Sequence, residues 1–133
     1  MRPEPRWIDK RALLLLHQES LTWFGGASGM RDEGLFDSAL ARPRNLHAYQ
    51  PECTLADLAA ADGHGFAKNH AFVDGNKRIA FLAIGLFLEM NGYTLTAKPV
   101  DAIAAMMAVA AGELDALSLA RWIGANLKRA KNS

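Results

Sequence analysis

The nine residues from His70 to Arg78, HAFVDGNKR, bring together an imidazole, a carboxylate, a carboxamide and two cations, and no other stretch of the chain is so dense in reactive groups. They run into Ile79 to Leu88, IAFLAIGLFL, which is apolar all round a helix rather than along one stripe; the pattern predicts a helix at the centre of the fold. Gly75, Asn76 and Lys77 open that helix and present its unpaired N–H groups and the positive end of its dipole. Glycine at 75 lets an anion approach the backbone, and a helix wrapped in protein has its field less screened by water. Lys77 and Arg78 add formal charge, and the guanidinium suits two-pronged contact with phosphate oxygens. A polyphosphate fits this chemistry.

Asp74 can be read in two ways. One carboxylate combined with substrate phosphates and water is a usual way to hold magnesium, and an Asp directly before a helix is also an ordinary N-cap. His70 also has two readings. An imidazole, whose reference pKa is about 6.5, can take a proton from a hydroxyl near neutral pH, a service worth roughly 100- to 10,000-fold in rate. A lone histidine at a helix end can equally be structural. Base, metal-binding carboxylate and anion cradle together form the set of parts that moves a phosphorus-containing group onto a hydroxyl. Phe72, alternating with these polar groups, is expected to plug the loop into the core.

The segment HAFVDGNKR resembles the motif of the Fic/Doc superfamily in the Doc form, H-x-F-x-[DN]-[AG]-N-K-R, and matches it at every fixed position. LHQESLTWFGGASGMRDEGLFDSALARP upstream and LFLEMNGY downstream are also similar to Doc sequences, so the resemblance covers roughly residues 13–95. It implies an all-α, compact helical bundle around a central helix. It further implies His70 as general base, Asp74 as Mg2+ ligand, and Gly75, Asn76, Lys77 and Arg78 as the loop that binds the phosphates of ATP. AMP-transferring Fic enzymes carry a glycine where Lys77 stands and a second arginine where Phe81 stands. The departures suit the Doc arrangement, in which the γ-phosphate faces the histidine and the product is a phosphorylated hydroxyl. By resemblance the chain is the toxin of a toxin–antitoxin pair and the target a threonine of elongation factor Tu. AMP transfer to a protein hydroxyl and a non-catalytic nucleotide-binding module are the alternatives. Many Fic proteins silence themselves with a segment resembling [ST]-x-x-x-E-[GN]; here Ser28 precedes Glu33 and Gly34 by one residue too many. A Phd-type antitoxin, whose disordered tail folds over the groove, is therefore the expected partner.

The elements that must position this loop follow from composition and punctuation. The chain has 133 residues, the size of one domain spanning 1–133, and half of them are apolar. Charged residues make up 22% and the net charge is +1, which fits neither a disordered chain nor a basic nucleic-acid binder. Ala and Leu supply 24 and 18 residues against 12 for Val, Ile and Thr together, a balance that favours helices over strands. The amino-terminal residues hold no signal-like apolar stretch and the longest apolar runs are half the roughly 20 residues a membrane span needs, so a cytoplasmic protein without membrane contact is expected. A single cysteine, Cys53, is consistent with a reducing compartment and is read as structural or incidental.

A first helix is expected after Asp9, ending at Gly25 and Gly26. GGASGMRDEG reads as a loop, LFDSALAR as a short helix closed by Pro43, and residues 43–53 as irregular. Thr54 and Asp57 form a capping-box start for a helix reaching about His70, a reading that Gly63 and Gly65 weaken. Asn91 and Gly92 end the apolar helix, YTLTA is extended, and Pro99 opens a fifth helix to Ala111. Ser118 is expected to cap a sixth helix through SLARWIGANLKRA, with Lys128, Arg129 and Lys131 matching its dipole. His17, His47 and His64 read as hydrogen-bonded core histidines, and the absence of close His or Cys pairs argues against zinc. Arg31, Asp32, Arg42 and Arg44 read as loop charges, although by resemblance residues 25–44 border the groove. Lys68 is considered as an accessory phosphate contact.

Overall fold

The computed structural model describes residues 4–130. Six helices and a two-stranded ribbon follow one another as α1 (Lys10–Phe24), α2 (Glu33–Tyr49), α3 (Leu55–Asn69), α4 (Asn76–Met90), β1 (Tyr93–Leu95), α5 (Pro99–Ala110), α6 (Ala116–Ala125) and β2 (Leu127–Arg129). The architecture is all-α, as the alanine- and leucine-rich composition requires.

The centre is shared by two helices. α3 packs against α2, α4, α5 and α6, while α4 packs against α1, α3, α5 and β1. α4 buries Ile79, Ala80, Ala83, Ile84, Phe87 and Leu88. α3 is buried mostly through small residues, among them Ala56, Ala59, Ala60, Gly63, Gly65 and Ala67. Its two glycines are points of close approach: a Cβ on Gly63 would lie 2.4 Å from Ile84 Cδ1, and one on Gly65 would lie 3.2 Å from Ala39 Cβ. Residues that weakened the helix reading are thus the ones that let α3 sit between α2 and α4.

α3 begins with the expected capping box, in which Thr54 Oγ1 accepts from Asp57 N and Asp57 Oδ2 accepts from Thr54 N. Three other expectations are corrected. α2 does not close at Pro43 but runs through it to Tyr49. Proline removes the bond to the carbonyl of Ala39, a cost of about 3 kcal/mol in a helix interior. Phe36, Ala39 and Pro43 form one buried face against α3, and burying a phenylalanine alone returns about 1.5–3 kcal/mol. α6 is capped by Asp115, whose side chain accepts from Ser118 N at 2.8 Å; Ser118 lies inside the first turn. The chain then leaves the helix, so Lys128 and Arg129 stand in β2, where Thr94 pairs with Lys128 and Tyr93 with Arg129, rather than at a helix end. Lys131 lies outside the described residues. Asp9 is the N-cap residue of α1 by position, without a side-chain capping bond.

Candidate active site

The loop between α3 and α4 holds the dense motif. α3 ends at Asn69 and His70 is its C-cap, at φ 50° and ψ 50°, the only non-glycine residue with positive φ among those described. For an L-residue this conformation costs about 1–2 kcal/mol. Arg31 secures it from the opposite side: Nε donates to His70 O at 2.9 Å, Nη2 lies 3.5 Å from Asn69 O, and the backbone N–H groups of Arg31 and Asp32 both donate to Ala71 O. The carbonyl of Asn69, the last of α3, and those of His70 and Ala71 just beyond it are thereby given donors, and the His70 side chain is left exposed.

The remainder of the loop is anchored just as closely. Phe72 is buried, pairs by backbone with Met30, and packs on Phe36 and His17. Asn76 folds back on it, with Oδ1 accepting from Phe72 N at 3.0 Å and Nδ2 donating to Phe72 O at 2.9 Å. Phe72 is therefore the plug that its alternation with polar residues suggested, and the Asn76 carboxamide is the loop's own clamp.

Gly75 is the N-cap of α4, in the left-handed region at φ 79°, and no side chain caps the helix. The backbone N–H groups of the first turn, at Asn76, Lys77 and Arg78, are those a helix leaves without an internal partner. A Cβ on Gly75 would come within 3.3 Å of His17 Nε2, a tight contact that adds to the left-handed backbone in favouring glycine. Lys77 is exposed. Arg78 is half-buried and its Nη1 donates to the carbonyls of Gly25, at 3.1 Å, and Ser20, at 3.3 Å, with the guanidinium 5.3 Å from the Phe24 ring centroid. One edge of Arg78 thus caps the carboxyl end of α1.

Asp74 is exposed. Its Oδ1 accepts from Gly75 N at 2.8 Å and its Oδ2 lies 3.4 Å from Ala27 N, tying it to the glycine-rich loop. Among the described residues no group of three or more His, Cys, Asp or Glu could enclose a metal ion. A cation here would rest on Asp74 together with ligand oxygens, the arrangement magnesium tolerates through its retained waters. An open helix terminus, a glycine at the point of approach and one solvent-facing carboxylate fit a magnesium-bound polyphosphate.

Other residues singled out in the sequence have different places. Asp32 caps α2 by accepting from Leu35 N. Arg42 Nη1 lies 3.3 Å from His64 Nδ1, and Arg44 lies over the Trp7 ring. Burial, then the charges of Arg42 and Lys68, push the His64 pKa below its ordinary value. Lys68 Nζ lies beside Gly112, just past the end of α5, where a cation complements the helix dipole. The sequence reading missed the roles of Arg31 and His17 in holding the loop. Neither carries a local sign, because each acts through backbone carbonyls 39 and 57 positions away.

A profile of the Fic/DOC family matches residues 7–88. Similar proteins include Toxin Doc of Mycolicibacterium smegmatis, 47% identical over 75 residues, and Protein kinase doc of Escherichia phage P1, 30% identical over 115 residues. The first alignment covers 56% of this chain and 58% of the mycobacterial protein, so the chain spans less than two thirds of that relative. The second covers 86% of this chain and 90% of the phage protein. The chain belongs to the Fic/Doc family. No helix among the described residues is long and apolar enough to cross a membrane.

Proposed function

We propose that this chain is a Doc-type kinase toxin that transfers the γ-phosphate of ATP to a hydroxyl of a protein, with His70 as base. The observation that carries the reading is the exposed imidazole of His70 held one short loop away from the uncapped amino end of α4. The names of the two relatives support both halves of the proposal, toxin and kinase.

In this reading the N–H groups of Asn76, Lys77 and Arg78 and the Lys77 ammonium bind the phosphates, and Asp74 holds Mg2+. Bound magnesium supplies charge neutralisation on the phosphate oxygens. His70 takes the proton from the attacking hydroxyl as the new oxygen–phosphorus bond forms and the bond to the leaving ADP breaks. Arg31 keeps the His70 backbone fixed, so the imidazole moves only about its side-chain torsions. Phe81, where an AMP-transferring enzyme would carry an arginine, is half-buried and packed on the core, which leaves the groove without that phosphate grip.

The proposed target is a threonine of elongation factor Tu in the cytoplasm, and the proposed partner is a Phd-type antitoxin. ATP labelled at the α or the γ position, incubated with the chain and elongation factor Tu, tests the chemistry. Transfer of the γ label, lost in His70→Ala and Asp74→Ala, is expected. Transfer of the α label identifies AMP transfer instead, and toxicity that survives both substitutions identifies a binding module.

A further inference from the structure

A cavity apart from the motif lies between the amino-terminal segment, α2 and α3. Its volume is about 370 Å3, and its lining includes Trp7, Lys10, Asp37, Pro43, Arg44 and Asp62. That is within the range of small-ligand pockets. Asp62 belongs to the buried face of α3 and is only 2% exposed. No hydrogen bond or ion pair reaches its carboxyl group from the described residues, and no buried side-chain oxygen is sealed without a partner, so the carboxyl opens onto the cavity.

Of the two cations that line the cavity, Lys10 is committed to carboxylates and Arg44 has no carboxylate partner among the described residues. Lys10 is ion-paired with Asp37 at 2.7 Å and Glu33 at 2.8 Å. Arg44 sits over the Trp7 ring at 5.6 Å. Asp9 also borders the space, so Asp9, Asp37 and Asp62 face Lys10 and Arg44 and the lining carries an excess of negative charge. The uncharged part of the lining is apolar: Trp7, Ile8, Leu40, Ala41 and Pro43.

We propose that this cavity binds a primary ammonium group carried on an unbranched aliphatic stem, with Asp62 as its anchor. The ammonium has three donors for a carboxylate that has none, and the stem lies along Leu40 and Pro43. A carboxylate away from water is costly unless a cation pairs with it. Burial alone pushes the Asp62 carboxyl well above its ordinary pKa, which is the mark of that cost. The same chemistry arrives on a free diamine or on a lysine side chain of a protein.

The test uses the full chain with aspartate carboxyl carbons isotopically labelled, titrated with n-butylamine and followed by NMR. A saturable shift of the Asp62 carboxyl and the Trp7 indole signals is expected, with n-butanol producing neither. Asp62→Asn, checked for an unchanged fold by circular dichroism, is expected to weaken butylamine binding at least tenfold. Parallel titrations with putrescine and with an acetylated, amidated lysine distinguish the two sources by which binds more tightly. The proposal is overturned if butylamine leaves the Asp62 carboxyl signal of the unsubstituted chain unmoved, if butanol binds equally well, or if folded Asp62→Asn retains full affinity.

Discussion

His17 lies flat against Phe72, with ring centroids 3.6 Å apart and planes 11° from parallel, and its Nε2 is 2.9 Å from Asp74 O. A carbonyl oxygen only accepts, so Nε2 carries the proton. This buried residue of α1 therefore fixes the loop at two points, through the plug at Phe72 and the backbone of Asp74. The core histidine read from the helical pattern is a mount for the candidate active site.

Replacing His17 separates those two contacts. His17→Phe keeps a ring against Phe72 but leaves the Asp74 carbonyl without its donor, the loss of a part-buried hydrogen bond worth about 0.5–1.5 kcal/mol. If the loop positions Asp74 and the anion cradle, kcat falls and the KM for ATP rises, whereas His17→Gln, which retains a side-chain donor, recovers part of both. Thermal melting and steady-state kinetics on the two variants check this. Equal loss in both variants with unchanged melting would remove the positioning role.

His70 carries strain together with its proposed chemistry. His70→Gly relieves the left-handed backbone and is expected to raise stability by up to about 1 kcal/mol, while activity drops roughly 100- to 10,000-fold. His70→Ala loses the same activity without the stability gain. Opposite movements of melting temperature and rate in His70→Gly would show that the conformation is retained for function.

Much of this geometry was legible in the chain itself, because helix punctuation and the motif are local signals. Thr54 and Asp57 fix the start of α3, Gly25 ends α1, and Gly75 opens α4. What was not legible depends on partners distant in sequence. Pro43 reads as a stop until the buried face it shares with Phe36 is known. Ser118 and Asp115 are both good caps, and only the folded chain shows that Asp115 caps α6 by accepting from Ser118 N. Arg78 reads as a phosphate ligand from its neighbours alone, and its contact with the Gly25 carbonyl appears only when α1 is brought beside α4.

The glycines of α3 and α4 predict opposite responses to alanine. Gly63→Ala gains about 1 kcal/mol of helix propensity but drives a methyl into Ile84, which is fully buried, and overpacking costs about 1–3 kcal/mol. Gly85 has open space around its position, so Gly85→Ala keeps the propensity gain. Chemical denaturation should show Gly63→Ala less stable and Gly85→Ala more stable than the unsubstituted chain.

Two neighbours on α3 predict opposing dependences of stability on pH. The Asp62 carboxyl, raised by burial, binds its proton more tightly in the folded state, so its contribution is full below the ordinary value of 3.8 and is lost as pH rises through the folded pKa. The His64 pKa is lowered by burial and by Arg42 and Lys68, so the unfolded chain binds the extra proton and stability falls as pH drops below 6.5. Asp62→Asn removes the first dependence and is expected to stabilise the fold at neutral pH. His64→Gln removes the second, flattening the curve on the acid side of 6.5. Denaturation midpoints measured across this range separate the two, and an Asp62→Asn curve parallel to that of the unsubstituted chain would mean that the carboxyl is not raised in the folded state.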